Sequence, residues 1–388
     1  MKNTILVISA LLSFITTQAT IRTVNNSTGG AGQYLSLQAA LDASAAYDTV
    51  YIHASDIIYP QVYVVRPVVI FGEGALPDQQ SLDATYIDRI NFYFSEFYDT
   101  NASGSKIYGC KIGNLHLGTG NVNCNCNTSW YNSASYGVNN ITIERCEIGN
   151  LKMTSEDIGV ENYALGIQSN IVVKNNIIRR LEAGVMRNCL IANNIIGDPV
   201  VSGNPGVESY NNVFVNNTIL GTYVSFSGAQ VNNNLFMTIL AHSGNLNIYG
   251  WNSALNKNVF SIPVTLCTDC GVTASTNVFA AGNIVNEAVW DWSNSTGQIW
   301  NSGYSNQGPF PDFHLLNGSV GSNYGTDNTD VGIYGGPFVW VDYLSPSPRY
   351  RYYAPPKQLP VLQEVNVLNS VVSPTGNINI QVKAKSQN

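Results

Sequence analysis

The chain has 388 residues, 11% of them charged, a net charge of −7, 34 glycines and seven cysteines. Disorder is excluded, because disordered chains combine high charge with few aromatic and β-branched residues, whereas 44% of this chain is hydrophobic. No basic stripe follows a phosphate backbone, which argues against nucleic acid as a partner.

Residues 1–19 have the features of a secretory leader: Lys2, an apolar stretch from Ile5 to Ile15, and Thr17-Gln18-Ala19 before the expected cut. The apolar stretch is too short to span a bilayer. Export to the medium or the cell surface is therefore expected, with no membrane span in the mature protein. Residues 20–48 read as an N-terminal cap. An extended segment from Thr20 to Ser27 is broken by Gly29 and Gly30, and Leu37, Ala40, Leu41 and Ser44 then recur at helical spacing behind Ser36 as N-cap. Such a helix would cover the open end of a stack. Strand-like runs follow at Thr49–His53, Gln61–Val65 and Pro67–Phe71, closed by Gly72-Glu73-Gly74.

Between Ile107 and Ala280 one phrase recurs eight times, as IYGCKI, IERCEI, VKNNII, IANNII, YNNVF, VNNNLF, LNKNVF and ASTNVF. Its Cys or Asn position falls at Cys110, Cys146, Asn176, Asn194, Asn212, Asn234, Asn258 and Asn277, in steps of 36, 30, 18, 18, 22, 24 and 19 residues. Periods in this range mark a stacked array whose units bury their apolar faces against neighbours. Each unit holds strand-sized runs, so the array is a β-solenoid. At about 22 residues per coil over residues 49–335, it predicts about 13 coils and a rod of about 60 Å. Asn is expected at this position because it tolerates left-handed backbone angles and stacks into an axial hydrogen-bonded ladder. The Ile or Phe two places later is core.

The succession SLQAALDASAAYDTVYIHAS and VYVVRPVVIFGEG resembles the cap and first coil of right-handed parallel β-helix proteins of the pectin-lyase-like superfamily. TDVGIYGGPFVW resembles the closing segment of many secreted bacterial members. The resemblance implies an all-β, right-handed, single-stranded solenoid over residues 20–343. A Pro-rich linker at 344–360 and a two-stranded β tail at 361–388 complete the chain.

Insertions at 118–140 and Met153–Ala164 account for the two long steps. Enzymes on this scaffold that cut acidic polysaccharides generally need carboxylates, often holding calcium, beside a basic residue; hydrolases need paired acids. The one concentration of such groups is Glu156, Asp157 and Glu161, followed by Arg179, Arg180, Glu182 and Arg187. The competing expectation, a solvated ion-paired loop, is favoured because no catalytic motif accompanies them. Asn328-Thr329-Asp330 resembles a polygalacturonase triplet without its companions, and no G-x-S-x-G, phosphate-loop or H-E-x-x-H pattern occurs.

Aromatic residues offer a second route to a sugar ligand. Trp130, Tyr131 and Tyr136 lie in the first insertion, and Trp290, Trp292, Trp300 and Tyr304 follow the last repeat; covering the core is their alternative role. Cys110 and Cys146 are expected as stacked, packed free thiols in preference to a disulfide, and Cys267–Cys270 as a local disulfide. No metal site is expected, since a lone C-x-x-C lacks further ligands. The expected function is thus a non-catalytic, secreted or surface-associated protein binding polysaccharide or extracellular matrix. A lyase or hydrolase of uronic polysaccharide, with calcium, and a structural or adhesive module acting through the tail are the alternatives.

Overall fold

A computed structural model describes residues 19–74, 85–95, 100–118, 137–153, 167–201, 209–221, 223–237, 246–261, 263–266, 273–280, 313–340, 361–367 and 380–385. Its body is a parallel β-helix. One sheet holds eleven short strands in the order in which they occur along the chain, from Ile21–Val24 through Thr49–Ile52 and Val172–Lys174 to Thr273–Ser275. The second holds thirteen, of which ten form one continuous stack from Val62–Val64 to Val278–Phe279. Every pair within these two sheets is parallel, and residues stack in register from coil to coil, as in Thr142 on Lys106 and Val172 on Thr142. Sequential parallel pairing without crossovers is what winding around one axis produces. A small third face pairs Gln168–Ser169 with Met186–Arg187.

Two left-handed corners bound seven of these short strands, from Lys106–Tyr108 to Ala254–Asn256. The first lies at Gly104, Asn140, Asn170, Asn188, Asn211, Gly228 and Asn252, the second at Gly109, Arg145, Asn175, Asn193, Asn216, Asn233 and Lys257, all with φ between 49° and 88°. The two corners are always five residues apart. The sharp turn is thus made by the residue before the ladder position, correcting the expectation that the ladder Asn itself takes the left-handed conformation. With one residue per corner in αL, the next side chain enters the core.

That inward row is an asparagine ladder. Asn176, Asn194, Asn217, Asn234, Asn258 and Asn277 stack in consecutive coils. From Asn194 onward, the Oδ1 of each accepts from the backbone N–H and the Nδ2 of the Asn in the coil before, at 2.8–3.0 Å. Each Nδ2 also donates to a core carbonyl, such as Asn217 to Ile191 at 2.8 Å. Buried amides are therefore fully bonded, which removes the cost of burying them. Cys146 continues the row, its N–H donating to Asn176 Oδ1 at 2.9 Å, and Cys110, Cys146 and Cys189 are buried free thiols.

Asn212 does not belong to this ladder. It follows Asn211 at the first corner, where it accepts from the Cys189 N–H at 3.1 Å, and Asn217 takes the expected place. Both corners of this coil carry an Asn-Asn pair, so a shift of five residues preserves the phrase. Ile112, Ile148, Ile178, Ile196, Phe236 and Phe260, two places beyond the row, lie in the core.

The helix Leu37–Ala43 is capped by Ser36 Oγ, which accepts from Ala39 N–H at 3.3 Å, and buries Leu37, Ala40 and Leu41 at the first coils. At the far end, residues 313–340 are a strap and not a coil, unlike the expected solenoid running to residue 335. The strap runs back along the second corner. Thr326 bonds Asn233, the Asp330 carbonyl accepts from Asn216, and the Ile333 and Gly335 carbonyls accept from Asn193 at 3.0 and 2.7 Å. Phe338 reaches Asn175. Its Phe313, Val331, Ile333 and Trp340 cover the outward Ile177, Ile195, Leu235 and Val259 of the long sheet. The expected tail strands form a separate antiparallel hairpin, Val361–Val367 with Ile380–Lys385.

Candidate ligand-binding face

The long sheet's outer surface beyond the strap carries the candidate site. Its strands Tyr86–Phe92, Lys111–Leu117, Glu147–Met153 and Ile177–Ala183 each have seven residues. Their register stacks Arg89 on Asn114, Asn114 on Asn150 and Asn150 on Arg180. In the third strand Ile148 and Leu151 are core residues, which leaves Asn150 on the outer face, half-buried. Asn150 Nδ2 donates to Asn114 Oδ1 at 3.0 Å, fixing both amides. Arg180 is anchored through Nε to Glu182 Oε1 at 2.7 Å, and Lys152 lies 4.0 Å from the same carboxylate. At the preceding position Gly113 lies so close to the neighbouring coil that a Cβ would meet the Asp88 carbonyl oxygen at 2.6 Å.

Arg179 and Arg180 share this exposed strand with Glu182, but Arg187 does not join them. It belongs to the third face, where its guanidinium lies 4.9 Å from the centre of the Tyr210 ring. Glu156, Asp157 and Glu161 lie outside the described residues, as do Trp130, Tyr131, Tyr136, Cys267 and Cys270. Among the described residues, no cluster of three or more His, Cys, Asp or Glu could hold a metal ion.

Two further polar groups flank the row. Lys111 and Glu147, one coil apart and 3.8 Å from each other, are almost wholly buried, and Lys111 stands over the Tyr86 ring at 5.1 Å. Burial pulls the Lys111 pKa down, opposed by Glu147. On the short sheet, Tyr51, Phe71 and Tyr108 stack outward, with ring centres 5.7 and 6.1 Å apart. The faces of Tyr51 and Phe71 are turned to each other, so this row offers ring edges and not a sugar-stacking platform.

The Arg–Asn–Asn–Arg row escaped the sequence reading. Its signal was present in the repeated IGNL of KIGNLHL and EIGNLKM, where Asn114 and Asn150 hold the same place. No family model matches this sequence, and no significant match occurs among curated proteins. Among the described residues, no helix is long and apolar enough to cross a membrane.

Proposed function

We propose that this chain is a pectin-lyase-like β-helix protein exported to the cell exterior, where it binds polysaccharide or matrix glycan without cleaving it. The observation that carries this reading is the in-register row of Arg89, Asn114, Asn150 and Arg180 along the axis. Coils about 4.8 Å apart give a row of about 14 Å, long enough to follow several sugar units. Planar amide and guanidinium groups match hydroxyl and carboxylate partners. The Asn114–Asn150 bond and the Arg180–Glu182 pair already hold three of these four groups, which limits the side-chain entropy lost on binding. The leader-like residues 1–19 support export.

The test is a glycan-array screen of residues 20–388, paired with uronic-polysaccharide degradation assays with and without calcium. Binding that falls at least tenfold in Asn150→Ala and Arg180→Ala supports the reading. Unsaturated products absorbing in the near ultraviolet would establish a lyase instead, with calcium held near Glu156, Asp157 and Glu161. Deleting residues 344–388 separates the adhesive alternative, which predicts loss of cell association with glycan binding intact.

A further inference from the structure

The two ends of the rod differ. The helix Leu37–Ala43 covers the first. At the other, Ala274 and Phe279 stack in register on Leu255 and Phe260. Leu255 and Phe260 are 0% and 6% exposed, whereas Phe279 is 54% exposed and Thr273, Ala274 and Ser275 are all exposed. Among the described residues, no strand pairs beyond this coil. A sheet end left without a further strand among the described residues, and with an exposed core aromatic, is a template for further pairing, and folded proteins cover such ends.

The C-terminal hairpin has a complementary need. Its register pairs Val365 with Val382 and Val367 with Ile380, in alternation with Glu364–Lys383 and Asn366–Gln381. A two-stranded sheet with one apolar face is marginal in water unless that face is covered. Reach is available as well. The strap holds Phe338 at the coil of Lys174 and Asn175. Five strand steps separate that coil from Thr273–Ser275, a distance of about 24 Å. The 20 residues between Trp340 and Val361 can span up to about 70 Å.

We infer that the paired strands Val361–Val367 and Ile380–Lys385 are the second cap of their own rod, with the register positions of Val365, Val367, Ile380 and Val382 laid over Phe279 and the last coil. The strap thereby returns the chain along the solenoid, and the tail closes the end the strap left behind.

Hydrogen-exchange mass spectrometry tests this on the full chain, on a form ending at Pro360, and on the Val365→Lys, Val382→Lys double variant, which keeps the chain length. Exchange in the segment 273–280 is expected to rise at least tenfold in both altered forms, with the coils at 190–232 unchanged. Unaltered exchange at 273–280 in the double variant overturns the inference even if the truncated form fails to fold. A full-length dimer by light scattering that becomes monomeric on truncation also overturns it, because the hairpin would then engage a second copy.

Discussion

Asn193 and Asn194 are consecutive and face opposite ways. Asn193, at φ 51°, donates outward to the strap carbonyls of Ile333 and Gly335, while Asn194 donates inward to Asn217 Oδ1 and the Val173 carbonyl. The recurrent Asn-Asn pair thus does two jobs: the first residue turns the chain and holds the strap, and the second joins the ladder.

Removing one ladder member should be costly. Asn217 accepts from the N–H and Nδ2 of Asn194 and donates to Ile191 and Asn234. Asn217→Ala removes these four buried bonds, and a loss of about 4 kcal/mol is expected at roughly 1 kcal/mol per bond. Urea denaturation measures it; a change below about 1 kcal/mol would show that the ladder is not a main source of stability.

Thr276 is a β-branched residue held at φ 54°, the place taken by Asn in four of the preceding coils. Thr276→Asn should therefore stabilise the protein, by about 1 kcal/mol given the usual cost of αL for side chains other than Gly and Asn. A lower denaturation midpoint in this variant would contradict the assignment of strain.

The strap depends on glycine. A Cβ at Gly335 would fall 1.6 Å from the Asp330 carbonyl oxygen, and Gly336 lies at φ 72° beside Asn216. Gly335→Ala should release the strap, seen as at least tenfold faster exchange of the Gly332 amide, which bonds Asn233 O at 2.9 Å. Slow exchange retained at Gly332 would mean the strap accommodates the methyl group.

Glu73 carries a pH dependence. Burial alone would raise its pKa, but bonds from His53, the Ala54 N–H and Tyr51 hold it below the ordinary value. A depressed folded-state pKa contributes stability above the unfolded value, about 4.3, and that contribution is lost as pH falls through the folded one. Between pH 6 and pH 3, Glu73→Gln should flatten the fall in stability; an unchanged slope in pH-resolved urea titrations would remove Glu73 as a contributor.

The buried thiols should be inert in the native state. Burial pushes Cys146 up to about 12 and Cys189 to about 11, and raises Cys110 well above its ordinary value. The thiolate is the reactive form. Iodoacetamide at pH 8 should label none of the three until the protein is denatured, by mass spectrometry. Native labelling of Cys146 would show that its coil opens.

Much of this architecture was legible in residue types. The Cys/Asn phrase located seven of the eight ladder positions, because core amides must recur where coils stack. Asn212 was misplaced because Asn211-Asn212 and Asn216-Asn217 are chemically alike at two corners, and only strand register separates them. The strap escaped because TDVGIYGGPFVW has the glycines and apolar residues of a coil, while its partners lie 93 to 163 positions away. The binding row escaped because Arg89, Asn114, Asn150 and Arg180 are unremarkable singly and become a row only through stacking.

The invariant five-residue interval between corners has an engineering consequence. Seven coils keep it while the steps between successive coils range from 17 to 36 residues, from Gly104 through Asn252. All variation in length therefore enters after the second corner, between the start of the long sheet and the next short strand. Foreign loops grafted there at Gly118–Gly137 or Met153–Ile167 would inherit a rigid mount without disturbing a single amide of the interior stack.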